Sequence, residues 1–258
     1  MSESDGFRRL VLDIGHGAAD AAALRAAEAF ARLLGVELHC VFIEDEAVLA
    51  LAGLPFAREY RLPTHDWSPI DASALAAELR HAAVQARQLL DRTLGDDGVP
   101  RAFEVLRGEP AACLAGLCRT DDIVVRVGPQ ARGAAPLASC LLLPRGFQPR
   151  GGAVVAVMAG DDDPALEVAC RIAAAAGDGL MVLAGRAVDE ASVRARAVAA
   201  GVPVGRVVVR CVAVGKPADI LSALGGMREQ VIVMARPAAG EAEVAGLFEG
   251  RRVPMLLI

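Results

Sequence analysis

Aromatic residues make up only 3% of this 258-residue chain, with one tryptophan, Trp67, and one tyrosine, Tyr60. Proteins that hold nucleic acid rely on positive charge and, for single strands, on rings for base stacking. The net charge here is -5, so no nucleic-acid partner is expected. Long hydrophobic runs are missing too: the longest, 134–144 and 151–160, are strand-sized, whereas a membrane-spanning helix needs roughly 18 apolar residues. Membrane insertion is not expected. The opening residues Met1-Ser2-Glu3-Ser4-Asp5 are acidic and lack the basic and apolar regions of a secretory signal, which sets the expectation of a cytoplasmic protein.

Chemistry-bearing motifs are equally sparse. The six cysteines contain no C-x-x-C pair, and the five-residue step from Cys113 to Cys118 is no zinc-knuckle spacing. They read as reduced core thiols. His16, His39, His65 and His81 are scattered, H-E-x-x-H does not occur, and no Ser or Cys stands with His and Asp in a nucleophile motif. No metal site and no enzymatic activity are expected. Asp161-Asp162-Asp163 precedes Pro164 and reads as an ordinary helix cap rather than a Mg²⁺ site. Arg194, Arg196 and Arg206 read as a solvated face.

What the chain does have is apolar content, 54% with a mean hydropathy of +0.41, the mark of a globular chain with much buried sheet. It also repeats itself. Arg107-Gly108-Glu109-Pro110-Ala111-Ala112-Cys113-Leu114-Ala115-Gly116-Leu117 returns as Val214-Gly215-Lys216-Pro217-Ala218-Asp219-Ile220-Leu221-Ser222-Ala223-Leu224. Short apolar runs follow both copies, Asp122-Ile123-Val124-Val125 and Gln230-Val231-Ile232-Val233. Each copy reads as a strand end, a glycine turn, a helix with Pro in its first turn and another buried strand. Two copies imply a tandem duplication.

In the first half, strands are predicted at 8–14, 37–43, 101–107, 123–127 and 137–143, and helices at 18–34, 44–53, 68–94 and 110–118. Leu54–Trp67 reads as an irregular loop, and Ser68-Pro69-Ile70-Asp71 as a capping box opening the long helix. Residues 144–152 read as a linker. The second half repeats the order in trimmed form, with strands at 153–158, 180–184, 206–212, 231–234 and 254–258. Its helices are predicted at 164–176, 189–200, 217–224 and 241–248. Strands alternating with helices imply right-handed βαβ units and parallel, helix-covered sheets.

This order, with its strand–G-x-P-A-helix–(D/E)-x-(I/V)-V-V pattern, resembles the universal stress protein family in tandem form, from Arg8 to Ile258. The resemblance implies an α/β fold of two Rossmann-like domains, 1–147 and 148–258. Each would hold a five-stranded parallel sheet of order 3-2-1-4-5. They would pack as an intramolecular pseudo-dimer through their fifth strands, Leu141–Leu143 against Met255–Ile258, and the chain's end at Ile258 accords with this. Further homodimerisation is left open. It also implies a bacterial, stress-related, non-enzymatic regulator or scaffold with protein partners.

ATP-binding members carry an Asp at the end of the first strand and a glycine-rich phosphate loop after the fourth. Here Gly15 falls at the Asp position and Asp13 stands two residues early. After the fourth strand come Gly128-Pro129-Gln130-Ala131-Arg132-Gly133 without a following Gly-(Ser/Thr), and in the second half only Arg236-Pro237-Ala238-Ala239-Gly240. A degenerate ATP site is therefore expected in both halves, with no cofactor. Asp13 and Arg126 are expected to meet near the switch point, where open α/β sheets bind ligands. The alternative reading is a sensor of a nucleotide or other anion. Its candidate residues are Asp13, Gly15, His16, Arg126, Gly128 and Gly133, with Tyr60, His65 and Trp67 as a lid beside Phe56. That reading needs Arg126, Arg132 or Arg145 to replace the lost amides. A hydrolase on the related adenine-nucleotide α-hydrolase scaffold ranks last.

Overall fold

The structure, a computed structural model, describes residues 6–15, 20–63, 65–95, 98–128, 139–214, 216–236 and 241–258. The first half runs β1 (Arg9–Asp13), α1 (Ala21–Leu34), β2 (Glu37–Asp45), α2 (Glu46–Ala52), β3 (Arg58–Arg61), β4 (Asp66–Pro69), α3 (Ala72–Thr93), β5 (Arg101–Gly108), α4 (Pro110–Leu117), β6 (Asp122–Val127) and β7 (Ser139–Leu143). The second runs β8 (Ala153–Met158), α5 (Ala165–Ala176), β9 (Leu180–Ala184), α6 (Glu190–Ala199), β10 (Val207–Cys211), α7 (Pro217–Ala223), β11 (Glu229–Met234), α8 (Glu241–Arg251) and β12 (Met255–Leu257). Among the described residues no helix is long and apolar enough to cross a membrane.

The α/β class holds, and the fifth strands of the two halves, which were expected to pair, join them in one continuous ten-stranded sheet of order β10-β9-β8-β11-β12-β7-β6-β1-β2-β5. All neighbours are parallel except β12 and β7, where Met255 pairs with Leu142, Leu256 with Leu141 and Leu257 with Cys140. The physical reason lies in the fifth strands. All six of these side chains are buried, and each large apolar group taken from water contributes about 1.5–3 kcal/mol. Left as free edges, these strands would expose that surface and a row of unpaired backbone groups.

One core lies on a single face of the sheet across both halves, where α1, α3, α5 and α6 cover residues such as Leu10, Leu12, Leu141, Val154 and Leu256. The opposite face is divided. In the second half α7 and α8 bury Ile220, Leu224, Leu247 and Phe248 against Val155, Ile232 and Leu142. In the first half α4 rests Leu114 and Leu117 on Val11, Val41 and Ile43.

Two local expectations need correction. Leu54–Trp67 is not an irregular loop: β3 and β4 pair in an antiparallel hairpin, with Tyr60 opposite Trp67. Rings facing each other across strands stabilise such a pair, a signal hidden by Pro55 before the hairpin and Pro63 in its turn. The long helix is opened by Asp71, not by a capping box at Ser68. The Asp71 carboxylate accepts from the Ser73 and Ala74 N–H groups, while Ser68 and Pro69 belong to β4.

The repeat motif is anchored in both halves by an arginine. Buried Asp122, at the start of β6, accepts from both Arg8 and Arg9, and Arg9 also donates to the Leu117 carbonyl that ends α4. In the second half Arg251 donates to the Leu224 carbonyl, which ends α7, and to buried Glu229. Leu224 and Glu229 are the repeat equivalents of Leu117 and Asp122. Ala153 replaces Arg9 in the second half, so the guanidinium arrives from the end of α8 instead. The acid keeps its place through a β-bulge. Glu229 pairs with Ala153 and Val231 with Val154, which leaves Gln230 as an extra residue. The bulge explains why the helices of the repeat align with one offset and the strands with another.

Candidate functional site

Parallel strands deliver their carboxyl ends to one edge of the sheet, and β1 and β6 are neighbours there. Leu12 pairs with Val125, so Asp13 and Arg126 occupy the next position on each strand and share a face. The Asp13 carboxylate turns back on its own chain and accepts from the Gly15 N–H at 2.8 Å. This is the side-chain turn that Asp makes two residues ahead. A Cβ on residue 15 would lie 3.1 Å from that carboxylate oxygen, so glycine at 15 is what gives the turn its room. Arg126 has a buried Nε. Its charge and that of Arg236 reach the Cys140 thiol, where burial pushes the pKa up and the two arginines oppose it. His16 and Gly133 lie outside the described residues.

At the matching edge of the second half, β8 and β11 end in Val157, Met158 and Met234, all buried and apolar. Of the three consecutive aspartates, Asp163 accepts from the Ala159 and Ala165 N–H groups at 3.0 Å. Asp161 accepts from the Asp189 N–H at 2.9 Å. These acids are spent on backbone donors, and among the described residues no group of three His, Cys, Asp or Glu side chains can hold a metal ion. Arg194, Arg196 and Arg206 do more than face solvent. Each donates to a main-chain carbonyl, those of Val207, Asp161 and Gly177.

The three lid candidates come together on the β3–β4 hairpin. Tyr60 and Trp67 rings are 5.3 Å apart, and the Tyr60 hydroxyl lies 3.1 Å from His65 Nδ1. Their surfaces stay open: Tyr60 is 45% exposed and Trp67 57%.

Gly128 closes β6, its N–H donating to the Leu143 carbonyl at 2.8 Å with φ at +91°. Arg145 lies across it, and a Cβ on residue 128 would sit 3.2 Å from the Arg145 Nε. The two residues share a hollow with Arg252. Arg228 and Arg252 have no part in the sequence reading. A hint of them stands in the last strand's approach, Arg251-Arg252, and in the linker arginines Arg145 and Arg150.

Compared by sequence, the chain matches no family model and no curated protein. Compared by structure, it is similar to a universal stress protein from Archaeoglobus fulgidus DSM 4304, at 14% identity and a TM-score of 0.59, covering 96% of this chain and 95% of that one. A universal stress protein candidate from Pseudomonas aeruginosa UCBPP-PA14 aligns at 15% identity and a TM-score of 0.54, covering 98% and 93%. A functionally unknown protein from Pseudomonas aeruginosa PAO1 aligns at 14% and 0.53, covering 98% and 92%. At these identities it is the path of the backbone that is shared, over nearly the full length of both partners. The fold of this chain is that of the universal stress proteins.

Proposed function

We propose that the chain is a tandem universal stress protein-like regulator or scaffold of the bacterial cytoplasm, acting without catalysis and with both nucleotide crevices degenerate. Residues 1–147 and 148–258 are its two units, and the β7–β12 seam is the interface of an internal pseudo-dimer. The observation that carries this reading is the turn at Asp13. ATP-binding members place an Asp at the end of the first strand, whereas here Gly15 stands at that position and the nearest acid, Asp13, two residues early, is turned onto the Gly15 N–H. The apolar ends of β8 and β11 support the same conclusion for the second unit.

The test is thermal denaturation with Mg²⁺-ATP, ADP and AMP, each compared with inorganic triphosphate at equal concentration. The expected result is no stabilisation that depends on the adenosine group. A ligand at 100 times its Kd should add about 2.7 kcal/mol, an easily resolved shift. An ATP response larger than that of triphosphate, abolished by Arg126→Ala in a protein that still folds, would overturn the proposal in favour of a nucleotide sensor.

A further inference from the structure

A groove of about 550 Å³ opens where the 144–152 linker passes the start of β11 and the end of α8, and five arginines line it: Arg145, Arg150, Arg228, Arg251 and Arg252. An adjoining hollow of about 510 Å³ shares Arg145 and Arg252 and ends at Gly128. Arg251 is committed to Glu229 and to the Leu224 carbonyl. The other four guanidiniums are solvent-exposed and have no ion pair among the described residues. Glu229, the groove's acid, is already neutralised by Arg251. In a chain of net charge -5, unpaired like charges gathered in one concavity raise the local concentration of anions.

The backbone holds three of these arginines in place. Arg145 is the second residue of a turn closed by the Phe147 N–H on the Pro144 carbonyl at 3.1 Å, with Gly146 at φ +67°. Arg228 is fixed by Ala153, whose N–H donates to its carbonyl at 3.0 Å. Gly152 packs so closely that a Cβ there would lie 2.7 Å from the same oxygen. Arg252 adopts φ +52° just past α8, a helix-ending conformation that glycine ordinarily supplies. An arginine kept where glycine fits better is an outlier that points to a task for its side chain. Arginine also suits the task. Its planar fork binds phosphate oxygens in pairs and keeps its charge at any physiological pH, and Lys216 is the only lysine in the chain.

We propose that this groove binds a small oligophosphate, two or more linked phosphate groups, through Arg145, Arg150, Arg228 and Arg252. A guanidinium pairs with a phosphate through two parallel hydrogen bonds, so a linked series of phosphates offers such a pair to each of the four arginines where a single phosphate or carboxylate has few oxygens to share. The volume lies within the range of small-ligand sites. The site stands apart from the Asp13 turn and draws on both halves of the chain.

Calorimetric titration of the full chain with inorganic triphosphate is the test, with orthophosphate, citrate and ATP as separate arms. Triphosphate is expected to bind once per chain, tighter than orthophosphate or citrate, with ATP close to triphosphate. Arg145→Gln and Arg228→Gln should each weaken it about tenfold or more, the worth of a charge-assisted hydrogen bond. Arg80→Gln, an equal loss of charge on α3, should leave it unchanged. Arg252→Gly should melt no lower than the parent yet bind triphosphate about tenfold more weakly. The proposal is overturned if triphosphate does not bind, if citrate binds as well, or if Arg80→Gln costs as much as Arg228→Gln. It is equally overturned if Arg252→Gly binds normally. ATP binding that ignores Arg228→Gln would place the ligand in the first crevice and sink the groove.

Discussion

Replacing Asp122 by asparagine tests how the first half is tied together. Its fully buried carboxylate receives six hydrogen bonds: three from Arg8, two from Arg9 and one from the Arg119 N–H at 2.9 Å. Breaking a buried ion pair by removing one partner costs about 3–5 kcal/mol. Two features favour the lower end. Arg8 is 38% exposed, so water can replace part of what it loses, and the asparagine oxygen keeps an acceptor for Arg119. The expected loss is therefore about 3 kcal/mol, and for a chain of this size the melting midpoint should fall by roughly 6–12 °C. Burial opposes the charged form of Asp122, but the hydrogen bonds from Arg8, Arg119 and Arg9 outweigh it and hold the pKa below the ordinary carboxylate value. A depressed pKa contributes stability above the unfolded value, near 4, and that contribution is lost as pH falls through the folded value. Urea titrations of parent and variant at pH 7, 5, 4 and 3 should show a gap that is full at pH 7 and shrinks below pH 4. A gap under about 1 kcal/mol at pH 7, or one that persists unchanged in acid, would refute the reasoning.

Gln230 sits in the bulge with its Oε1 buried and unbonded, so Gln230→Met should raise stability by about 1 kcal/mol in urea, the cost of an unsatisfied polar atom. Gly108 has φ +148°, and a Cβ there would lie 2.9 Å from the Cys113 sulfur. Gly108→Ala should therefore lower stability by about 1–3 kcal/mol, read from the same titration. Burial pushes the Cys40 thiol up to about 12, and Cys211 is the exposed cysteine. Alkylation of the native protein at pH 8 should thus mark Cys211 first and Cys40 only on unfolding, as peptide mapping would report.

Strand positions were legible because a buried parallel strand must be apolar on both faces, as in Leu10–Leu12 and Val154–Val157. Helix stops were legible where glycine takes a left-handed turn, as Gly35 and Gly177 do. The repeated glycine–proline unit marked equivalent places in the two halves. The hairpin was not legible, because four-residue strands leave too few alternations to outweigh Pro55 and Pro63. The arginine anchors escaped for a different reason. Arg9 and Arg251 do the same work from opposite ends of their halves, and only three-dimensional proximity reveals the substitution. Of the candidate residues, Asp13, Gly15, Arg126 and Gly128 were chosen for their places at strand carboxyl ends, and β1 and β6 do end there. Arg228 and Arg252 were not, since a lone arginine at an element boundary looks like any surface charge until the linker is folded beside it.

The single antiparallel seam between β7 and β12 has a consequence for stoichiometry. Had these two five-stranded arrays been separate identical chains, a twofold axis would copy every substitution, and any concavity beside that axis would occur twice. Here the 144–152 segment exists once, on one side of the seam only. Whatever is recognised there is counted one per ten strands, and each array can change without obliging the other to follow.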